Sequence, residues 1–317
     1  MNRQHLRSAA VALASALLLL ATSCRKAPPQ ASPAPVNTYA YPKLVVLSPG
    51  MAVILRDLKR SDAVVGRHGF DMVTDPNVPV AGSQSELDYE VLLRVQPTHV
   101  LLESGARDVP PRLKELAESN GWQIESLPAL RLDDIRRQIT RLDEISARLD
   151  PGESTPEGAA LLKSFDEAMT AKFGLPERLG RTMPLASTSP IGILGPGSFH
   201  AEMLAALGAT PIPESGAAFI HADVEDVLKA DPDSLVLFLP ANQDLDMNAL
   251  LGALAGKPLR AIREGRVLVI RDPLCHSPST ALIPIANEIG ERTESWITIE
   301  AASRGIRLDD ETPEQPR

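Results

Sequence analysis

With 317 residues, 44% of them apolar and 23% charged, the chain is long enough for two folded units and too apolar to stay disordered. Its 32 basic residues against 41 acidic ones give a formal charge of −9, and no Lys/Arg cluster offsets it, so an electrostatic nucleic-acid binder is excluded. Two cysteines exclude a Cys-rich zinc module or a dense disulfide scaffold, and aromatic residues are only 3% of the chain.

Residues 1–24 read as a signal peptide. Arg3 and Arg7 form a basic start, and Ala9 to Ala21 is an apolar run too short for a comfortable membrane span. It ends in Ala21-Thr22-Ser23-Cys24, which resembles a bacterial lipobox with Cys24 as the lipidated residue. Ordinary cleavage near Ser23, giving a soluble secreted protein, is the alternative. Loss of Arg3 and Arg7 leaves 30 basic residues against 41 acidic ones, a mature charge of −11. Residues 25–42 hold Pro28, Pro29, Pro33, Pro35 and Pro42, a composition that favours an extended tether between a lipid anchor and a folded unit.

Strand and helix patterns then alternate. Leu44 to Leu47 reads as a strand, Met51 to Leu58 as a helix, Ala63 to Gly66 as a strand, and Leu87 to Val95 as a helix with Leu87, Val91, Leu92 and Val95 on one face. Strands at His99–Leu102 and Trp122–Leu127 flank a helix at Arg112–Asn120 that Gly121 stops. This rhythm predicts a mainly parallel sheet covered by helices over 43–130.

Residues 131–180 break the rhythm. Ile135, Ile139, Leu142, Ile145 and Leu149 make one helical stripe and Gly158 to Phe173 another, with breaks at Pro151-Gly152 and Gly174-Leu175-Pro176. The segment reads as a helical spine. Strand signals return over 181–305 at Pro184–Thr188, Ser234–Leu239 and Arg266–Ile270. The intervening helices are Phe199–Leu207, Val224–Ala230, Ala249–Leu254 and Pro258–Glu264, and a terminal helix covers Thr280–Ala302. Residues 306–317 are a charged tail. The expected fold class is α/β, two Rossmann-like lobes joined by the helical spine with a ligand cleft between them.

One unit occurs in both halves. Asp88-Tyr89-Glu90 runs through an amphipathic stretch to Pro97 and a strand; Asp223-Val224-Glu225 does the same to Pro232. Together with Leu44-Val-Val-Leu-Ser48-Pro49, Val64-Val-Gly66, Val80-Ala-Gly82 and the closing unit Ala261 to Ile270, these stretches resemble the class III periplasmic substrate-binding proteins of ABC importers for cobalamin, haem and iron–siderophores. The resemblance spans roughly Pro42 to Gly290. It implies that Glu90 and Glu225, one per lobe, dock on a permease dimer; the plain alternative is two glutamates on solvated helix faces. It also implies a monomer holding a small-molecule ligand, most simply a metal chelate or metal-containing cofactor, with no covalent cofactor.

The expected cleft residues lie on strand-end loops: Ser48, Pro49, Arg67, His68, Phe70, Ser83, Gln84 and Arg107 in the first lobe, and Ser187, Ser189, Phe199, His200, His221 and His276 in the second. Trp122 and Trp296 fall outside these loops, so the macrocycle stacking common in cobalamin and haem binders has no obvious Trp here. Four histidines on four loops, with Cys275 beside His276, leave open direct contact with a transition metal, although their spacing matches no compact metal motif. Cys275 equally reads as a buried, inert thiol. Arg67, Arg107 and Arg271 suit an anionic ligand or simple pairing with nearby acids. Enzyme signatures are missing: no Gly-x-Ser-x-Gly, no P-loop, and a Gly192–Gly197 stretch without dinucleotide spacing. The expected function is therefore an extracytoplasmic, membrane-anchored lipoprotein that captures a metal chelate of the iron–siderophore, haem or cobalamin class for an ABC permease. A binder of a bare transition metal or oxyanion, or a sensor lipoprotein of the same fold, is the alternative.

Overall fold

The computed structural model describes residues 41–296, apart from 84, 106, 107, 151, 173, 241–245 and 295. Cys24, Gln84, Arg107, residues 1–40 and the tail at 306–317 lie outside the described residues.

Short strands of three to six residues build the first sheet. Strands β1 (Leu44–Val46), β2 (Val64–His68), β3 (Val80–Gly82), β4 (His99–Ser104) and β5 (Gln123–Pro128) are all parallel, in the order β3-β2-β1-β4-β5. Helices α1 (Pro49–Asp57), α2 (Tyr89–Val95) and α3 (Pro111–Asn120) make three of the crossovers, and a loop joins β2 to β3. Side chains alternate faces as a strand requires. Val45, Leu47, Val100 and Leu102 pack outward with Val91, Leu92 and Leu113, whereas Leu44, Val46 and Leu101 face inward.

The segment between the sheets forms α4 (Leu132–Ala147), α5 (Pro156–Ala168) and the short α6 (Leu175–Leu179). The stripe at Ile135, Ile139, Leu142 and Ile145 is the buried face of α4. Helix α5 starts two residues earlier than its apolar pattern and ends five residues earlier. Thr155 caps it, accepting from the Gly158 amide, and the Asp143 carboxylate holds Thr155 in place.

The second sheet holds β6 (Arg181–Thr188), β7 (Ile191–Leu194), β9 (Phe219–Ala222), β10 (Ser234–Leu239) and β11 (Val267–Arg271), ordered β11-β10-β6-β7-β9, with β8 (Thr210–Pro211) pairing beside β6. Strands β6, β10 and β11 are parallel; β7 and β9 are antiparallel. Sequence periodicity misses β3, β7, β8 and β9, each four residues or fewer, because so short a run completes no more than two alternations. Helices α7 (Phe199–Ala206), α8 (Val224–Ala230), α9 (Met247–Leu251), α10 (Arg260–Arg263) and α11 (Leu282–Arg292) complete the unit. Helix α11 is shorter than the predicted Thr280–Ala302, whose far end lies outside the described residues.

The duplicated unit is the same local structure twice. Asp88 and Asp223 each cap a seven-residue helix by accepting backbone amides, and Gln96 and Asp231 each end it in the left-handed region at φ 47° and 37°. Pro97 and Pro232 then lead into β4 and β10.

The two sheets share one core. Leu44, Val46 and Ile54 join Ile139 and Leu142 of α4, Phe165 of α5, Met203 of α7, Phe238 of β10 and Ile285 of α11 in a continuous apolar cluster. Burying each such side chain contributes roughly 1.5–3 kcal/mol. The lobes are thus fastened to each other as well as to the spine.

Candidate functional site

In an open parallel sheet, neighbouring crossovers leave a crevice at the carboxyl ends of the strands where the order reverses. In the first sheet that point lies between β1 and β4. Ser48 follows β1 directly, is only 1% exposed, and caps α1 by accepting the Met51 amide at 3.2 Å. Its hydroxyl donates at 2.5 Å to Glu103 Oε1, near the end of β4. Glu103 is half-buried, and burial raises its carboxyl above the usual range against the lowering effect of the Ser48 hydrogen bond. Pro49 occupies the first turn of α1, where its missing N–H costs nothing.

The loop after β2 carries the most exposed apolar side chains near this point, Phe70 at 79% and Met72 at 62%. A polar scaffold holds it up. Arg67 Nε donates to the Val78 carbonyl at 3.0 Å, and its two Nη atoms reach the Asp71 and Pro76 carbonyls at 3.5 and 3.4 Å. Arg67 therefore braces the loop from within β2 instead of offering its guanidinium to an anion. His68, also in β2, is buried and accepts the Phe70 amide on Nδ1 at 3.0 Å, which places the neutral ring's proton on Nε2. Burial lowers its pKa, partly countered by Asp71. Ser83 caps the turn after β3 through the amides of Ser85 and Glu86. Gly82 has φ +109° in that turn, and a Cβ there would lie 2.1 Å from the Glu86 carbonyl.

In the second lobe, Ser187 sits in β6 and donates to the Pro190 carbonyl at 2.7 Å, while Ser189 accepts the Ala253 amide and is turned to the outer helical layer. Phe199 and His200 are not on an open loop: both are buried in the first turn of α7, with rings stacked at 4.0 Å. His200 Nε2 bonds the Cys275 carbonyl at 2.8 Å, and burial, then the neighbouring His276, pulls its pKa down to about 3. His276 is half-buried against the Phe238 carbonyl at 3.1 Å, its own pKa lowered by burial. Cys275 is a buried thiol whose pKa burial, with help from Asp272, pushes up to about 12, so it is no ready thiolate. His221 is exposed on β9, edge to face with Phe219 at 5.0 Å.

The structure brings His200 and His276 together and leaves His68 and His221 on separate strands. Among the described residues no three His, Cys, Asp or Glu side chains converge on a point that would hold a metal ion. The apolar surface is the more suggestive feature. Phe219, 47% exposed, lies over Gly192, where a Cβ would come within 2.8 Å of its ring. The second sheet's outer face carries Ile191, Ile193 and Ile220, so Gly192, Phe219 and His221 occupy the inner one, as Leu194 and Phe238 do. Trp122 and Trp296 contribute nothing to this surface, since both pack against the apolar core. Glu90 and Glu225 are exposed at equivalent positions in the first turns of α2 and α8.

Two sheets of this topology, joined by a helical segment, make up the two-lobed fold of the class III periplasmic binding proteins. Solved structures similar to the chain include the periplasmic vitamin B12 binding protein BtuF of Vibrio cholerae, at 17% identity and TM-score 0.60 over 80% of this chain and 97% of that one. The periplasmic haem-binding protein BhuT, in complex with two haems, matches at 18% and 0.62 over 81% and 99%. A protein of an ABC-type Fe3+-hydroxamate transport system from Saccharomonospora viridis matches at 23% and 0.54 over 79% and 92%. No family model and no curated protein matches the sequence. All three similar structures are of binding or transport-system proteins. No helix among the described residues is long and apolar enough to cross a membrane.

Proposed function

We propose that this chain is an extracytoplasmic substrate-binding lipoprotein, anchored through Cys24 and spaced from the membrane by the Pro-rich tether, that holds an organic metal chelate between its lobes and delivers it to an ABC permease. The observation that carries the reading is the pairing of this fold with exposed apolar side chains, Phe219 on the inner face of the second sheet and Phe70 and Met72 on the loop after β2, together with the polar Ser48–Glu103 pair at the carboxyl ends of β1 and β4. A chelate with an apolar organic periphery is the kind of ligand such groups recognise; a bare ion needs converging ligands. The iron–siderophore, haem and cobalamin classes all meet that description.

Glu90 and Glu225 give the protein two equivalent carboxylates for a two-fold basic partner, where charge sets orientation and encounter rate. Cells depending on this protein for chelate uptake are expected to lose that uptake with the double change Glu90→Ala and Glu225→Ala, while the purified variant still binds the chelate. Unchanged uptake would refute the docking role.

A further inference from the structure

Leu101 and Glu103 point to the same face of β4, and Leu101 belongs to the core shared by the two lobes. Glu103 therefore continues the inward face of the first sheet just past the end of the apolar core, beside the strand pair where the sheet order reverses. One carboxylate oxygen is fixed by Ser48, which is itself fixed as the cap of α1. Among the described residues the other oxygen takes no hydrogen bond, and no Lys or Arg pairs with Glu103. Arg67 directs its guanidinium at loop carbonyls. A half-buried carboxylate with one oxygen unclaimed attracts hydrogen-bond donors and cations, and it repels anions more strongly than an exposed one would.

We propose that Glu103 selects the ligand by charge. The bound chelate presents an ammonium, amide N–H or hydroxyl donor to the free carboxylate oxygen, and chelates that place a carboxylate there are rejected. This inference rests on the chelate-binding reading above and narrows it. Haem, with two propionates, and polyanionic ferric chelates are disfavoured; amide-rimmed corrinoids and hydroxamate chelates ending in an amine are favoured.

The test is isothermal titration of the full-length protein in mild detergent at neutral pH. Its probes are a ferric trihydroxamate with a terminal ammonium, the same chelate succinylated to end in a carboxylate, cyanocobalamin and haemin. The tightest probe is expected to be the ammonium chelate or cyanocobalamin, at least tenfold tighter than the succinylated chelate and haemin. Glu103→Gln, which keeps the shape and removes the charge, is expected to weaken that probe at least tenfold. Tightest binding of haemin or the succinylated chelate, or an undiminished affinity in folded Glu103→Gln, overturns the proposal and leaves chelate binding standing. Should Glu103→Gln not fold, the wild-type ranking of the matched pair decides alone. Failure of all four probes to bind the wild type overturns the chelate-binding reading and this proposal with it.

Discussion

Thr280 donates a 2.5 Å hydrogen bond to Asp57 Oδ2 across 223 positions of sequence, joining the end of α1 in the first lobe to the segment that opens α11 in the second. At the other end of α1, Gly50 comes so close to the same segment that a Cβ would lie 2.6 Å from the Pro278 carbonyl oxygen. Helix α1 is thus held at both ends by the second lobe. With a core common to both lobes behind it, ligand binding is expected to close the cleft modestly rather than swing the lobes about a loose hinge.

Gly50→Ala forces a methyl group against that carbonyl, and backbone cannot yield as a flexible side chain would. The expected cost is about 1–3 kcal/mol, the range of overpacked interiors. Denaturant unfolding measures it. Unchanged stability would mean that the lobes separate easily along α1.

Phe70→Ala and Phe219→Ala remove side chains that are substantially exposed. Each is expected to change stability by no more than about 0.5 kcal/mol. Each is also expected to weaken chelate binding several-fold, because the ring loses its apolar contact only in the complex. Equal losses in stability and affinity would assign the rings to folding instead.

Burial holds the folded pKa of His200 down at about 3, against 6.5 for a solvated imidazole. The unfolded chain therefore binds this proton more readily, and stability is full above pH 6.5 and falls as the pH drops from there towards 3. His200→Gln, which preserves a donor towards the Cys275 carbonyl, is expected to flatten the loss between pH 6.5 and 4.5 by up to about 1.4 kcal/mol per pH unit. His68 and His276, shifted in the same direction, remain in both proteins and add to both slopes. Parallel slopes for the two proteins would mean that His200 is hydrated in solution.

Much of this fold is legible because local rules and tertiary packing agree. Asp88 and Asp223, each a cap followed by an apolar helix, a proline and a strand, announce the same unit twice, and the structure builds it twice. Ile135, Ile139 and Leu142 likewise face the core at the helical period they show in sequence. The second sheet is less legible. Strands β7 and β9 owe their existence to pairing with each other and with β6, a long-range fact that four residues cannot encode.

The candidate site shows the same division. Phe199 and His200 follow a Gly-Pro-Gly turn, which suggests an open loop; the fold buries both in the first turn of α7 instead, Phe199 as part of the shared core. Arg67 looks like an anion ligand until the loop carbonyls that claim it are known. Glu103 did have a signal. It directly follows the aliphatic run Val100-Leu101-Leu102 of β4, with the face parity of Leu101, which marks an inward-facing carboxylate. Met72 had none, being one thioether on a polar loop.

The most direct measurement is the thermal unfolding of the full-length protein with cyanocobalamin, haemin, ferric hydroxamates and bare divalent metals, each in large excess. A ligand at a hundred times its Kd adds about 2.7 kcal/mol to the native state. For a unit of this size that is a rise of several degrees in Tm. One organic chelate raising Tm by that amount, with the bare metals leaving it unchanged, is the predicted result. A rise with bare metals and with none of the chelates would contradict the account.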